Sequence, residues 1–157
     1  MDDRGLVEGL NRDLAQELGT ICRHIQQAAL ARGPAGHDLR VFLKVEVIDD
    51  VFHALYLADK IAELGGTPTA EPAPSRLLRN PKEMIEYDLE MEHRAILHYA
   101  ERVKQAAADW ALSLKERLEK ILVDETDHEK GFLQLLGQGE RTQGRGAGVT
   151  AGHSPAG

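Results

Sequence analysis

The sequence predicts an all-α protein, a four-helix bundle with one long crossover between helices two and three. Apolar residues recur three and four apart in four separate segments, glycine and proline punctuate the gaps between them, and the middle gap is too long for a turn.

The first segment, near residues 5–32, carries Leu10, Leu14, Ile21, Ile25 and Ala28 on one stripe, with the turn GPAG closing it. The second, about 38–64, carries Leu39, Leu43, Leu57, Ile61 and Leu64 before Gly65-Gly66. Its stretch VFLKVEVIDDVF is rich in β-branched residues, but a stripe continuous over the whole segment outweighs local preference and predicts helix. The third opens on Asn80, Pro81 and Glu83, an N-cap, a first-turn proline and a capping acid, and continues through Ile85, Leu89, Ile96, Tyr99 and Val103. Asp109 is the expected cap of the fourth, whose stripe of Leu118, Ile121, Phe132 and Leu135 is expected to stop at Gly137.

Between helices two and three lies GTPTAEPAPSRLLRN, residues 66–80. Fifteen extended residues reach ~50 Å, and a helix of the length of segment two is ~40 Å long. The connection therefore spans the bundle and leaves helices two and three parallel. Residues 1–137 form the expected bundle domain, and the glycine-rich stretch 138–157, which has no apolar period, is expected to be a disordered tail.

A net charge of −7 and basic residues not interleaved with aromatics give nucleic-acid binding no support and make metal cations the more natural partners. The start MDDRGLVEGLNRD has no signal-peptide core, and no apolar run suits a membrane span, so a cytoplasmic location is expected. Cys22, the only cysteine, rules out an internal disulfide or a CxxC metal ribbon and is expected to be a small buried apolar residue.

Polar groups interrupt every stripe. Helix four reads Leu118, Ile121, Glu125, His128, Phe132, Leu135, a three-four progression that turns Glu125 and His128 toward the core. Helix two repeats it as Leu43, Glu46, Asp50, His53, Leu57, helix one inserts Glu17 between Leu14 and Ile21, and helix three inserts Glu92 between Leu89 and Ile96. The spacing repeats as well: 50 − 17 = 33 and 125 − 92 = 33, each followed three residues later by histidine. One acid from a helix and an acid-x-x-His from its antiparallel partner, occurring twice, suit two metal ions in a pseudo-twofold site. Carboxylate and imidazole donors favour iron or manganese. A third acidic-x-x-His, Glu90 to His93, flanks its stripe and is expected to be a solvated face. Without metal, four buried carboxylates would each cost several kcal/mol unless protonated or exposed, so the alternative to a metal site is a vestigial or purely structural bundle.

With these residues the chain resembles the bacterioferritin branch of the ferritin-like family over roughly residues 8–136. The stretches that carry the resemblance are LNRDLAQEL, DDVFHALYLADKIAELGGTP, EYDLEMEHRAI and ILVDETDHEKGFL. It implies a ferritin-like bundle with Glu17, Asp50, His53, Glu92, Glu125 and His128 as catalytic di-iron ligands, oxidising Fe(II) with dioxygen or peroxide for iron storage or protection. In this reading Glu17 and Glu125 complete opposite ends of the metal pair. Three departures from the family matter: Asp50 replaces a bridging glutamate, with Glu46 one turn earlier as a candidate substitute; Val51 replaces the haem-ligating methionine, so no haem is expected; and His24 replaces a tyrosine, as an added or supporting ligand or as a packed core histidine. Twenty-four-chain shells of the family have a short fifth helix after the fourth, which residues 138–157 do not suit, so the resemblance implies a dimer or a twelve-chain shell. The competing functions are a di-iron or di-manganese peroxidase or oxidase without mineral storage, and a non-catalytic helical interaction module.

Overall fold

The structure, a computed structural model, describes residues 3–108 and 111–146. It is all helical, with α1 spanning Asp3–Leu30, α2 Gly33–Glu63, α3 Pro81–Ala108 and α4 Leu112–Gly146. Among the described residues there is no strand, and no helix is long and apolar enough to cross a membrane.

Two apolar clusters fix the chain directions. One gathers Leu6, Leu10 and Leu14 of α1, Leu57 and Ile61 of α2, Tyr99 and Ala106 of α3, and Leu114, Leu118 and Ile121 of α4. The other gathers Ala28, Ala31, Leu39, Leu43, Met84, Ile85 and Phe132. Helix α1 runs from the first cluster to the second, α2 returns, α3 again runs from the second to the first, and α4 goes back. Helices α2 and α3 are therefore parallel, as the long crossover requires. Each fully buried leucine contributes about 1.5–3 kcal/mol, so the two clusters supply most of the drive to fold.

The crossover lies along α1. Asn11 donates from Nδ2 to the Thr67 carbonyl at 3.1 Å and accepts from the Thr69 amide at 2.8 Å. One turn on, the Ala73 amide donates to the Ala15 carbonyl at 2.7 Å. The approach is close enough that a Cβ on Gly19 would sit 2.7 Å from the Ala73 carbonyl oxygen, so this position has to be glycine. Asn80 caps α3 as expected, accepting from the Lys82 amide at 2.9 Å.

The element ends differ from expectation in three places. GPAG does not close α1; it opens α2, with Gly33 at φ 77° making the reversal and Pro34 in the first turn, where a missing N–H costs nothing. Helix α4 does not stop at Gly137 but continues to Gly146, and Gly137 is not among the positive-φ glycines of the described residues, so it makes no left-handed cap. Residues 147–157 and the expected cap Asp109 lie outside the described residues. On α1 the core stripe drifts. Ile25 is 60% exposed and Cys22 is exposed, while Arg23, His24 and Gln27 are buried. Polar residues take those inward positions because partners await them on α2 and α3.

Two buried ion pairs tie α1 to α3. Arg102 Nε donates to Asp13 Oδ2 at 2.7 Å, and Arg23 Nε donates to Asp88 Oδ1 at 2.6 Å with Gln27 adding a bond at 3.2 Å. Burial still outweighs Arg23 and holds the Asp88 carboxyl above its ordinary pKa, so that pair organises more than it stabilises. Asp13→Ala, which strands the buried Arg102 guanidinium, is expected to cost ~3–5 kcal/mol in urea unfolding, whereas Asp13→Leu/Arg102→Met together should recover most of that loss. A double variant no more stable than Asp13→Ala would contradict this account.

Candidate metal centre

Between the two apolar clusters lies a belt of acids and histidines contributed by all four helices. Glu17, Asp50, His53, Glu92, Glu125 and His128 are each 1–4% exposed. Glu17, Asp50, His53 and Glu125 each offer one donor atom within 4.8 Å of the others, and Glu92, Glu125 and His128 do the same. All six sequence-derived positions thus enter two adjoining groups, and Glu125 belongs to both. Glu17 and Glu92, on the separate helices α1 and α3, enter one group each.

The histidines present their Nδ1 atoms to the belt. His53 Nδ1 is 3.0 Å from Glu125 Oε1 and 3.8 Å from Glu17 Oε1, and His128 Nδ1 is 3.9–4.0 Å from Glu92, Glu125 and Asp50. Their outer nitrogens are held by other acids. His53 Nε2 hydrogen-bonds Asp124 Oδ2 at 3.2 Å, and His128 Nε2 is 2.8 Å from Glu46 Oε2 with Asp49 at 3.8 Å. Such outer carboxylates fix ring orientation and raise the basicity of the inner nitrogen.

A second relation organises the belt: 92 − 17, 125 − 50 and 128 − 53 all equal 75. The same offset pairs Asp13 with Asp88, Asp49 with Asp124, and His24 with Tyr99. Tyr99, assigned from sequence only to the apolar stripe, donates its hydroxyl to Glu17 Oε1, while His24 Nδ1 meets Asp50 Oδ2 at 3.0 Å. Tyr99, Asp124, Asp13 and Asp88 were missed as supporting residues, although the offset of 75 would have found them. The expected decoy is outside the belt: His93 is on the surface, paired with Glu129 at 3.2 Å, and Glu90 pairs with Arg94. Val51, half-exposed on α2, offers two methyl groups and no sulfur.

The belt fits cations on its own evidence. Asp50 Oδ1, His53 Nδ1, Glu125 Oε1 and His128 Nδ1 are buried with no hydrogen-bond partner, the 3.0 Å approach of His53 to Glu125 being misaligned for one. Buried polar atoms left in this way cost about 1–3 kcal/mol each, and cations held by the two groups would satisfy all four. Burial first, and then the Glu125 carboxylate, push the carboxyls of both Glu17 and Glu92 well above the usual range. Burial also lifts the Tyr99 phenol, with Glu17 adding to it. At His128 burial pulls the pKa down, but the Glu46 carboxylate and the charge of Glu125 outweigh it and push it up to about 9; His53 is raised in the same way by Glu125 and Asp124.

The chain is similar to known proteins. The family model for the ferritin-like domain matches residues 7–142. A bacterioferritin of Streptomyces coelicolor is 28% identical over 127 residues, 80% of this chain and 76% of that protein. A bacterioferritin of Desulfovibrio desulfuricans is 27% identical over 124 residues, 78% of this chain and 69% of that protein. A solved structure described as a ferritin-like, diiron-carboxylate protein from Bacillus anthracis superposes with a TM-score of 0.84 at 39% identity, covering 87% of this chain and 98% of that one.

The titrations of the belt give a signed expectation. Raised carboxyls stabilise the fold fully below their unfolded pKa and lose that contribution as pH rises through the folded value. Raised histidines do the same between their ordinary 6.5 and, for His128, about 9. The metal-free protein should therefore melt at steadily lower temperature from ~pH 5 to ~pH 9.5. Saturating Mn(II) should reverse the loss, with a melting-temperature gain that grows with pH. Differential scanning calorimetry with and without Mn(II) checks this, and a pH-independent Mn(II) gain would contradict it.

Proposed function

Since the chain belongs to the ferritin-like family and folds six ligand-type side chains into two groups that share Glu125, we propose that it is a ferroxidase, binding two Fe(II) per chain and oxidising them. The observation that supports this reading is the shared carboxylate: Glu125 enters both donor groups. Four converging carboxylates carry four negative charges, which two divalent ions cancel. In a buried site of low dielectric that cancellation is the largest electrostatic term available. Iron is the expected ion, with manganese as the alternative occupant.

Each residue has a role in this reading. Glu17 and Glu92 release protons as the ions bind and cap the two outer ends. His53 and His128 bind through Nδ1, their rings held by Asp124 and by Glu46. Tyr99 orients Glu17 through its hydroxyl. Asp49 and Asp124, on the half-exposed edge of the belt, set a negative approach for an incoming cation. The electron balance is simple: two Fe(II) lose one electron each, and peroxide accepts both with two protons to leave as two waters, or dioxygen accepts both to become peroxide. Storage of the ferric product as mineral would further require a closed shell.

We also read the chain as a homo-oligomer. Val41, Val45, Ile48, Phe52 and Leu55 form a four-three-four-three row on α2, each more than half exposed. An apolar stripe of this length on a soluble helix is covered by association, and a second copy of α2 packed antiparallel offers a matching row.

Two experiments test these assignments. In an anaerobic Fe(II) titration followed by aeration, the parent should take up two Fe(II) per chain and oxidise them rapidly. Glu125→Ala should oxidise more than ~100-fold more slowly with its helical content intact, and oxidation at the parent rate would remove Glu125 from the site. By light scattering, Ile48→Lys/Leu55→Lys should reduce the assembly toward the monomer, and an unchanged mass would place the interface elsewhere.

A further inference from the structure

We propose that a cleft between α1 and α2, with His24 at its base, is a binding site for a small organic anion that carries a hydroxyl group on an apolar body. The cleft has a volume of about 420 Å³, within the range of small-molecule sites. Buried Ala28 and Leu43 line it deep in the fold, and Ile25 and Val47 line it toward the outside. These walls favour carbon over water. Three cations line it as well: Arg32 and Lys44 are exposed, and Arg40 is half-buried. None of the residues lining it is acidic, on a chain whose net charge is −7. Among the described residues neither Arg40 nor Lys44 has an ion-pair partner, and Arg32 donates only to the Ala29 and Ala31 carbonyls, at 2.7 and 3.2 Å. The cleft therefore presents uncompensated positive charge at an apolar surface, which suits an anion with an apolar body.

His24 selects the second polar group of the ligand. Its side chain is 1% exposed, and Nδ1 lies 3.0 Å from Asp50 Oδ2. A carboxylate can only accept, so Nδ1 is the donor, and the neutral ring keeps Nε2 as an acceptor. Nε2 is buried with no hydrogen-bond partner among the described residues. A bare carboxylate cannot satisfy it, whereas a hydroxyl can. The ligand thus places its hydroxyl at His24 and its anionic group at Arg40 and Lys44. Arg40, Lys44 and Val47 each come one position before Val41, Val45 and Ile48, ~100° around α2, so the cleft opens beside the exposed apolar row and not beneath it.

Isothermal calorimetry on the full-length protein as purified tests this, and because it reads neither metal uptake nor turnover, its failure leaves the two-metal reading standing. The probes are 4-hydroxybenzoate, 4-hydroxyphenylacetate and 3-(4-hydroxyphenyl)propionate, which hold the hydroxyl and the carboxylate at increasing separation. At least one should bind with a Kd below ~1 mM. For that probe, the analogue without the hydroxyl and the analogue without the carboxylate should each bind at least about fivefold more weakly. Ala29→Trp, which adds bulk at an exposed position lining the cleft, should weaken the probe by more than about tenfold. Arg40→Gln/Lys44→Gln should do the same to the probe and leave the analogue without the carboxylate unchanged. His24→Phe should bring the probe to the affinity of the analogue without the hydroxyl; if that variant does not fold, the two ligands compared on the parent protein decide the same point. Failure of all three probes to bind below ~1 mM overturns the site. A Kd unchanged in Ala29→Trp places the ligand elsewhere and overturns it too, and equal affinity with and without the hydroxyl overturns the role given to His24.

Discussion

Mutual repulsion among buried carboxylates is the constraint to which the rest of the molecule answers. Glu17, Asp50, Glu92 and Glu125 are nearly inaccessible to water and close together, with apolar clusters above and below them. Among the described residues no lysine or arginine forms an ion pair with them. The two buried arginines are committed to Asp13 and Asp88, and the belt's own cationic candidates are His53 and His128. The metal-free belt responds by drawing in protons, and for this reason the end carboxyls and both histidines are displaced upward. A site that collects protons so readily can release them to a cation of higher charge, which ties metal affinity to pH through the same groups that set stability.

The bundle was legible in the sequence because burial and helix period speak with one voice where residues are apolar. Leu10, Leu14, Leu39, Leu43, Leu118 and Ile121 lie on their expected faces, and the crossover length dictated the parallel pair. The six belt residues were legible for the same reason, being interruptions of otherwise regular stripes. Reading failed where inward positions are polar by partnership. Ile25 looks like core and Arg23 like surface until Asp88 is known to wait on α3. Tyr99 passed as apolar because a phenol fills a core position as well as phenylalanine does, and only the acceptor on α1 reveals its second role. Gly137 and the GPAG stretch misled because the meaning of glycine depends on the sign of φ, which composition does not carry.

The internal offset of 75 residues shows what each half keeps and what it changes. Ligand positions, the flanking acids Asp13 and Asp88, and the outer acids Asp49 and Asp124 all repeat. Departures concentrate at three places: Asp50 against Glu125, His24 against Tyr99, and Glu46 taking the nearer place beside His128 where Asp49 would match Asp124. His24 and Asp50 touch each other beside Glu17 and His53, whereas Glu46 sits beside His128 in the other donor group, so both halves carry a departure.

The ion pairs at the borders of the belt frame its two ends. Arg102 with Asp13 and Arg23 with Asp88 both join α1 to α3, the two helices that carry the end carboxylates Glu17 and Glu92. Asp13 lies one turn before Glu17, and Asp88 one turn before Glu92. Each pair fixes its helix in rotation at the point where the end ligand departs, so the ligand's position does not depend on the repulsive belt for its definition. The cost is a buried charge pair on each side, and the pKa of Asp88 shows that this cost is not fully returned. What it yields is a frame that holds α1 and α3 together one turn from Glu17 and Glu92.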